Sequence, residues 1–259
     1  MKYAVITFGC RVNQADSLAI EGSLRARGAI AASPDEADLV IVNTCSVTAS
    51  ADQGARQTIR RIARSNPDVQ VVVTGCYATR RPGELRELPN VTHIVSNQLK
   101  DDVLGAIEAD GSEATSTATR FGDGDGPCGA VEPGVAGRTA FTMRVQSGCE
   151  EQCSYCIIPT TRGSSRSRPL PEIAHHIANV VASGYKEIVV TGVHLGSYGR
   201  DLGNGSTLTM LVRHLAGCDA EVLFRISSLE PMDCTHEIID LVAESPRLAP
   251  HFHLPLQHG

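Results

Sequence analysis

The sequence predicts an α/β protein in which an N-terminal doubly wound parallel-sheet domain precedes a partial (βα) barrel. Short apolar runs rich in valine and isoleucine alternate with longer segments of helical composition, as expected of buried parallel strands and their crossover helices. A glycine-rich stretch at 108–137 separates two such alternating regions. Hydrophobic residues make up 42% of the chain, which is typical of a folded globular protein, so both regions can bury a core.

The first region, residues 1–107, predicts the doubly wound domain. Its strand-length apolar runs lie at 3–8, 39–42, 69–73 and 91–95, and its helical segments lie at 14–27, 48–65, 81–88 and 98–108. Strands and helices that alternate in this order form βαβ units. The strands of such units run parallel within one sheet.

The stretch 108–137 predicts an interdomain linker. It is rich in glycine and contains few large apolar residues, so it offers little to bury. Cys128 lies within it without a nearby cysteine partner, and we treat this thiol as incidental.

The second region, residues 138–259, predicts a βα barrel or part of one. Strand-like runs lie at 140–145, 187–191, 221–226 and 251–256, and helical segments lie at 171–183, 207–216 and 235–244. Pro169 and Pro171 stand where a helix begins, and Gly184 stands where it ends. Barrels of this kind keep their chemistry on the loops after the strands.

The cysteine content predicts metal or redox chemistry. The chain has nine cysteines, no apolar run near the roughly 20 residues that span a bilayer, and a start without the pattern of a signal peptide. These features predict a cytoplasmic protein. In a reducing compartment, metal or redox chemistry explains an odd number of cysteines better than disulfides do.

The charge balance argues against a broadly basic surface for nucleic acid. The formal net charge is −6, from 23 basic and 29 acidic residues. Two local arginine clusters remain candidates for contact with RNA phosphates, with a solvated charged face as the alternative. They are Arg56, Arg60 and Arg64 on one face of a predicted helix, and Arg162, Arg166 and Arg168 after the cysteine motif described next.

Cys149, Cys153 and Cys156 form a C-x3-C-x2-C motif directly after a predicted strand. A [4Fe-4S] cluster needs four ligands, so three cysteines leave one iron open to an outside molecule. A structural zinc site or an electron-transfer cluster would need a fourth protein ligand, which Cys218 or Cys234 could supply in principle. The open-iron interpretation needs no such ligand and predicts a catalytic cluster.

Cys10, Cys45 and Cys76 each follow the end of a predicted strand by one to three residues. The carboxyl ends of parallel strands meet at one edge of the sheet, where such folds bind ligands. We therefore expect the three thiols to lie together and to hold a second cluster. The alternative is three separate buried cysteines, which are common in protein cores.

These motifs resemble those of the radical S-adenosylmethionine (SAM) methylthiotransferases. QSGCEEQCSYCIIP at 146–159, with the arginine-rich residues 162–169, is similar to that family's cluster loop. FGCRVNQ at 8–14, NTC at 43–45 and TGC at 74–76 are similar to its N-terminal cluster domain. The forms GCRVNQ and NTCSVT, with TGVHLGSYG at 191–199 and SSLEP at 227–231, resemble the branch acting on N6-threonylcarbamoyladenosine at position 37 of tRNA.

The resemblance implies two [4Fe-4S] clusters and S-adenosyl-L-methionine as cofactors. The cluster on the 149–156 motif would cleave SAM to a radical that attacks the adenine C2–H, and the cluster on Cys10, Cys45 and Cys76 would carry the sulfur. It further implies tRNA and an electron donor such as flavodoxin or ferredoxin as partners, and no membrane. The candidate SAM-contacting residues are Tyr155, Thr191, Gly192, Ser228 and Glu230.

Alternatives remain at this stage. The substrate could instead be isopentenyladenosine in tRNA or an aspartate of a ribosomal protein. The family's barrel normally has six strands and is followed by a small RNA-binding domain, whereas this sequence reaches only about the fourth strand. We therefore expect the C-terminal RNA-binding domain to be absent, and an inactive truncated iron–sulfur fragment is a further alternative.

Overall fold

The computed structural model describes residues 1–108 and 140–256, which divide into two compact units. The N-terminal unit comprises residues 1–108 and Gln152–Gly163, and the C-terminal unit comprises residues 140–151 and 164–256. The segment Gln152–Gly163, which the sequence assigned to the barrel region, is thus grouped with the N-terminal residues. The predicted linker, except residue 108, and Cys128 lie outside the described residues.

The sheet of the N-terminal unit is entirely parallel. Its strands are β1 (Lys2–Thr7), β2 (Ile30–Ala31), β3 (Leu39–Thr44), β4 (Gln70–Gly75) and β5 (Val91–Val95). They pair in the order β2, β1, β3, β4, β5, so the direction of the strand order reverses between β1 and β3. In doubly wound sheets, ligands bind beyond the carboxyl ends of the strands at such a reversal.

Helices cover both faces of this sheet. The helices of this unit are α1 (Arg11–Ala26), α2 (Ala49–Ser65), α3 (Cys76–Arg80), α4 (Pro82–Arg86), α5 (Val103–Glu108) and α6 (Ile158–Arg162). On one face α2 buries Ala55, Ile59 and Ile62 against the strands. On the other face α1 buries Ile20 and Leu24. Two apolar layers with a sheet between them confirm the predicted doubly wound class.

The predicted elements of this unit are present, with shifted boundaries. The two-residue strand β2 was not predicted, because it is exposed and too short to show an apolar pattern. The helix predicted at 98–108 begins as the 3₁₀ turn Lys100–Asp102 and continues as α5. The helix α1 begins earlier than predicted, directly after Cys10.

The C-terminal unit repeats the strand and helix alternation. Its elements are β6 (Ala140–Arg144), β7 (Gln146–Ser147), β8 (Arg166–Ser167), α7 (Leu170–Ala182), β9 (Glu187–Thr191), α8 (Leu208–Ala216), β10 (Leu223–Ile226) and α9 (His236–Glu244). The strands β10, β9 and β6 form a parallel sheet in that order, while β7 and β8 pair antiparallel. Parallel strands joined by helices are the arrangement expected for part of a βα barrel.

The predicted strand at 251–256 is not formed as such. Only isolated parallel bridges occur near it among the described residues, between Phe224 and Leu248 and between Ser228 and His253. Pro250 and Pro255 flank His253, and proline has no backbone N–H to donate to a ladder. The apolar pattern therefore identified a segment that lies beside β10, but this segment does not form a regular strand.

Candidate functional site

Three cysteines lie where three adjacent strands of the N-terminal unit end. Cys10 is the N-cap of α1 after β1, Cys45 directly follows β3, and Cys76 opens α3 after β4. Because β1, β3 and β4 are neighbours and parallel, all three cysteines lie at the carboxyl edge of the sheet. Cys45 and Cys76 are buried, whereas Cys10 is exposed. The convergence expected from the sequence is thus present in the fold.

Glycines before two of these cysteines allow the chain to pass close by. Gly9 has φ +98°, and a Cβ at that position would lie 2.6 Å from the Cys45 Sγ. Gly75 has φ +100°, and its Cβ would lie 2.2 Å from the carbonyl oxygen of Thr44. Both positions combine a left-handed backbone with space for a hydrogen only. The local sequences that carry Cys10 and Cys76 therefore require glycine.

Cys10 and Cys76 are near enough to Cys45 to affect its pKa. Burial raises the pKa of Cys45, a hydrogen bond from the Val47 backbone opposes this, and negative charge at Cys10 and Cys76 raises it further. Within residues 1–108 and 140–256, no three His, Cys, Asp or Glu side chains are arranged to hold one metal ion. A four-iron cube is larger than one ion, so its thiolate ligands need not converge on one point. The donor set suits a cluster better than a single ion.

Buried amide and hydroxyl groups fix the loops that carry these cysteines. The Asn13 Nδ2 donates to the carbonyl oxygens of Phe8 and Thr44, at 2.8 and 3.0 Å. The Asn43 Nδ2 donates to the Asn13 carbonyl oxygen at 2.8 Å, and the Thr44 hydroxyl donates to the Thr74 carbonyl oxygen at 2.6 Å. These bonds join the ends of β1, β3 and β4, so the cysteine positions are set by a connected polar network.

A buried cluster of two cations and a carboxylate lies beside this edge. The Lys100 Nζ lies 2.7 Å from the Asp16 Oδ2, and the Arg162 Nη2 lies 3.0 Å from the same oxygen. All three side chains are at most 2% exposed. Asn97 connects this group of charged side chains to the cysteines. Its Oδ1 lies 3.4 Å from the Lys100 Nζ, and its Nδ2 lies 3.5 Å from the Cys76 Sγ.

The electrostatic environment of these cations includes the cysteines. Burial lowers the pKa of Lys100, against the attraction of Asp16 and with the repulsion of Arg162. Burial also acts to lower the pKa of Arg162, but Asp16, Cys76 and Cys10 together raise it above its ordinary value. Arg162 therefore keeps its charge, and that charge acts on the thiols as well as on the carboxylate.

The burial of Arg162 corrects one expectation from the sequence. A side chain that is 2% exposed and bonded to Asp16 and Asn13 is not accessible to RNA phosphates. Thr161, its neighbour, is also held in the N-terminal unit, since its carbonyl oxygen accepts from the Asn97 Nδ2 at 2.9 Å. Arg162 thus anchors α6 to the N-terminal unit instead of extending into solvent.

The cysteines of the C-x3-C-x2-C motif lie on loop backbone. Cys149 belongs to the C-terminal unit, where its Sγ accepts from the Glu151 N–H at 3.4 Å. Cys153 and Cys156 belong to the N-terminal unit and share a turn, in which the Cys156 N–H donates to the Cys153 carbonyl oxygen at 3.0 Å. Cys153 is exposed, and the other two are half-buried.

Gln146 organises the loop that leads into Cys149. Its Nε2 donates to the Gly148 carbonyl oxygen at 2.8 Å and to the Ser165 and Ser197 hydroxyls at 3.0 and 3.2 Å. Its Oε1 accepts from the His194 backbone N–H at 2.9 Å. One fully buried amide thus joins the loop after β7 to the loop after β9. The sequence motif contained Gln146, but no local pattern indicated this role.

The five candidate SAM-contacting residues have different environments. Thr191 is buried and accepts from the Ser227 hydroxyl at 3.1 Å. Gly192 lies against Gln146, so a Cβ there would be 3.0 Å from the Gln146 Oε1. The remaining three are Tyr155, which is 72% exposed, Ser228, whose hydroxyl lies 2.7 Å from the His253 Nδ1, and Glu230, which is half-buried. Their contact with SAM stays a prediction.

The remaining candidate arginines divide into exposed and bonded side chains. Arg60 and Arg64 are exposed on α2, as expected of a charged helix face. Arg56, on the same helix, stacks over the Tyr77 ring at 5.6 Å. Arg168 is half-buried against the His176 Nδ1, at 2.6 Å, and Arg166 is half-buried in β8. Contact of these residues with RNA stays a prediction.

Comparison with known proteins identifies the family. Residues 2–96 match an uncharacterized protein family, UPF0004, and residues 143–259 match the radical SAM superfamily. Over 98% of its length the chain is 34% identical to the threonylcarbamoyladenosine tRNA methylthiotransferase MtaB of Bacillus subtilis (strain 168). The chain belongs to the radical SAM methylthiotransferase family. It spans 57% of the length of that relative.

Other relatives of this chain are named for two different substrates. MtaB of Rickettsia prowazekii (strain Madrid E) is 32% identical over the whole chain, which spans 59% of it. The tRNA-2-methylthio-N(6)-dimethylallyladenosine synthase of Roseiflexus sp. (strain RS-1) is 34% identical over the whole chain, which spans 53% of it. Identity alone therefore does not separate the two substrates.

A solved structure shares the fold. The radical S-adenosylmethionine methyltransferase TsrM from Kitasatospora setae superposes with a TM-score of 0.56, covering 93% of this chain and 57% of TsrM. At 16% sequence identity the likeness concerns the fold alone. Membership of the radical SAM superfamily implies SAM and a [4Fe-4S] cluster as cofactors.

Proposed function

We propose that this chain carries the catalytic units of a tRNA methylthiotransferase that adds a methylthio group to C2 of N6-threonylcarbamoyladenosine at position 37, using two [4Fe-4S] clusters. The observation that supports it best is the placement of Cys10, Cys45 and Cys76 at one sheet edge, in a chain that also has a radical SAM motif. Two incomplete ligand sets suit a reaction that must both activate a C–H bond and deliver sulfur.

In this proposal Cys149, Cys153 and Cys156 ligate the cluster that binds SAM. That cluster supplies one-electron reduction of SAM, which starts radical chemistry that side chains cannot perform. The protein positions the site: the Gln146 Nε2 holds the loop before Cys149 through the Gly148 carbonyl oxygen and connects it to the Ser165 and Ser197 hydroxyls. Thr191, Gly192, Ser228, Glu230 and Tyr155 are the proposed contacts for SAM.

Cys10, Cys45 and Cys76 are the proposed ligands of the second, sulfur-donating cluster. Asn13 and Thr44 connect the three loops by hydrogen bonds. The glycines before Cys10 and Cys76 allow the loops to approach one another closely. The buried charges of Lys100 and Arg162 oppose the negative charge that three thiolates accumulate at this edge. The thiols, the scaffold and the charge balance all support a cluster at this position.

The substrate assignment rests on the relatives. MtaB names from several bacteria support N6-threonylcarbamoyladenosine. Dimethylallyladenosine is the second candidate, because the Roseiflexus relative is as similar to this chain. The ribosomal-protein alternative finds no support among these relatives.

Iron analysis tests the two-cluster assignment. Anaerobic reconstitution of the full chain should yield about eight irons and eight sulfides per chain, four of each from every cluster. A zinc-loaded protein without iron would contradict the proposal. About four irons would reduce it to a single cluster.

Nucleoside mass spectrometry tests the substrate. tRNA from cells that lack the gene should lose 2-methylthio-N6-threonylcarbamoyladenosine and keep 2-methylthio-N6-dimethylallyladenosine. The reverse pattern would assign the second candidate. Unchanged amounts of both would exclude tRNA position 37 as the target.

Partners and location follow as further proposals. The reaction requires tRNA and a one-electron donor such as flavodoxin or ferredoxin, and both belong to the cytoplasm. No helix within the described ranges has the length and apolar content to cross a membrane.

A further inference from the structure

A cavity of about 400 Å³ lies next to the cysteine edge, and the proposed chemistry leaves it unassigned. Its size falls within the range of small-molecule sites. It lies within the N-terminal unit, between the loop after β3, the start of α2 and the segment from α3 to α4. Its lining comprises Ser46, Val47, Thr48, Ala49, Asp52, Arg56, Arg80, Arg81 and Glu84.

The lining contains three arginines with unused hydrogen-bonding capacity. The Arg80 Nη1 lies 3.2 Å from the Ser46 hydroxyl and 3.7 Å from the Asp52 Oδ2. Arg81 and Arg56 both pair with Glu84. A guanidinium has five N–H donors, and these contacts use only some of them. The cavity therefore offers several donors in the planar geometry that carboxylates accept.

Asp52 gives the cavity an acceptor that needs a donor. The residue is 8% exposed, and its Oδ1 is buried with no hydrogen-bond partner in the part of the chain that the structure describes. A buried carboxylate oxygen without a donor costs free energy, so an N–H from a bound molecule would stabilise it. Arg80 pairs with the other carboxylate oxygen, Oδ2, so the Oδ1 favours a ligand that has N–H groups as well as negative charge.

The start of α2 adds to the preference for an anion. Thr48 caps this 17-residue helix by accepting from the Ala51 N–H. The helix dipole favours negative charge at this end. A purely apolar ligand would leave the unused arginine N–H groups and the Asp52 Oδ1 without partners.

We propose that this cavity binds the threonylcarbamoyl group of the substrate adenosine. The group has a carboxylate for Arg80 and Arg81, N–H donors for Asp52 and a hydroxyl for the polar wall. The dimethylallyl group of the second candidate substrate has only carbon and hydrogen. The inference rests on the proposed function, and it explains how this chain would select between the two substrates.

The position of the cavity agrees with the proposed chemistry. Ser46 directly follows Cys45, and Arg80 lies on the helix that Cys76 opens. N6 is attached to C6, which lies in the same six-membered ring of adenine as C2, so a bound N6 group would bring C2 toward the cysteine edge. Residues 46–48 also belong to the NTCSVT stretch that resembles the threonylcarbamoyladenosine branch.

Binding of nucleosides to the full chain without clusters tests the inference. N6-threonylcarbamoyladenosine should give saturable binding in ligand-observed NMR, whereas adenosine and N6-dimethylallyladenosine should bind at least about tenfold more weakly, because they lack the charged group. Arg80→Met and Arg81→Met should each weaken binding by roughly tenfold or more. Arg61→Met, an exposed position on α2 outside the cavity, is the matched control and should bind as the unmodified chain does.

Several outcomes would overturn the inference. Equal binding of the three nucleosides would assign recognition to the adenine ring, and displacement by an equal concentration of inorganic phosphate would assign the cavity to RNA phosphate. Arg81 has a half-exposed side chain, so its variant remains informative if Arg80→Met does not fold. Iron loading without nucleoside binding contradicts this inference alone, whereas nucleoside binding without iron loading contradicts the two-cluster function alone.

Discussion

At the scale of single residues, the buried group around Asp16 contains more positive than negative side chains. Two cations share this carboxylate, and all three side chains are almost fully buried. Removal of the carboxylate would leave both cations buried without it, whereas removal of Lys100 would leave an equal pair with Arg162. A buried charge without its partner is far more costly than a buried pair.

Asp16→Asn should therefore destabilise the protein more than Lys100→Met. We expect a loss of about 3–5 kcal/mol in the free energy of unfolding for Asp16→Asn, and a distinctly smaller loss for Lys100→Met. Urea unfolding followed by circular dichroism measures both. Asp68→Asn, an exposed position in the same unit, is the control and should change little. Equal losses for the two buried variants would contradict the unequal charge balance.

His176 predicts a pH dependence of stability. Burial, with the charges of Arg168 and His175, lowers the pKa of His176 to about 4. The unfolded chain therefore binds a proton at His176 below about pH 6.5, whereas the folded chain binds one only below about pH 4. The stabilisation by neutral His176 is complete above pH 6.5 and disappears as the pH falls to 4. It amounts to up to about 3 kcal/mol.

His176→Gln should flatten this part of the stability profile. Glutamine keeps an acceptor for the Arg168 Nη1 but cannot bind a proton. Urea unfolding at pH 7 and at pH 4.5 should show a smaller difference for the variant than for the unmodified chain. The same slope in both proteins would mean that the pKa of His176 is the same in the folded and the unfolded chain.

At the scale of secondary structure, strands and helices were predictable from local patterns. The valine runs of β3 and β4 are buried on both faces, which makes them continuous apolar stretches. The edge position of Cys10, Cys45 and Cys76 followed, because it depends only on where parallel strands end. The short pair of β7 and β8 was not predictable, since two residues in each strand show no period.

The junction between β4 and α3 depends on Gly75. Its φ of +100° and the 2.2 Å approach of a Cβ to the Thr44 carbonyl oxygen both exclude a side chain. Gly28 is a matched case with φ +78° and open space around it, so only backbone strain acts there. Substitutions at these two glycines therefore distinguish the free energy of backbone strain from that of steric crowding.

Gly75→Ala should thus cost clearly more than Gly28→Ala. We expect about 1 kcal/mol for Gly28→Ala from strain alone and at least about 3 kcal/mol for Gly75→Ala. Gly75→Ala should also lose iron from the proposed N-terminal site, because the start of α3 must move. Thermal unfolding and iron analysis test both statements. Equal stability of the two variants would show that the β4 end adjusts without cost.

At the scale of the whole molecule, contacts between distant parts of the sequence were not predictable. Arg162 and Asp16 are 146 residues apart, and no periodicity relates them. The sequence therefore suggested Arg162 as an RNA contact, whereas it is buried in the N-terminal unit. The cavity beside Cys45 was missed for the same reason, since its walls come from separate helices and loops. The C-x3-C-x2-C spacing was informative because its three cysteines lie within eight residues of the sequence.

The two cysteine sets should separate the two halves of the chemistry. Cys153→Ala should lower the iron content from about eight to about four and abolish reductive cleavage of SAM. Cys76→Ala should lower iron equally but keep SAM cleavage while losing sulfur transfer, because Cys76 is a proposed ligand of the sulfur-donating cluster and not of the cluster that binds SAM. Cys218→Ala is the control: it should keep both clusters, since three cysteines suffice for each site. Loss of iron in the Cys218 variant would instead reveal a fourth protein ligand, which would close the iron that SAM must bind.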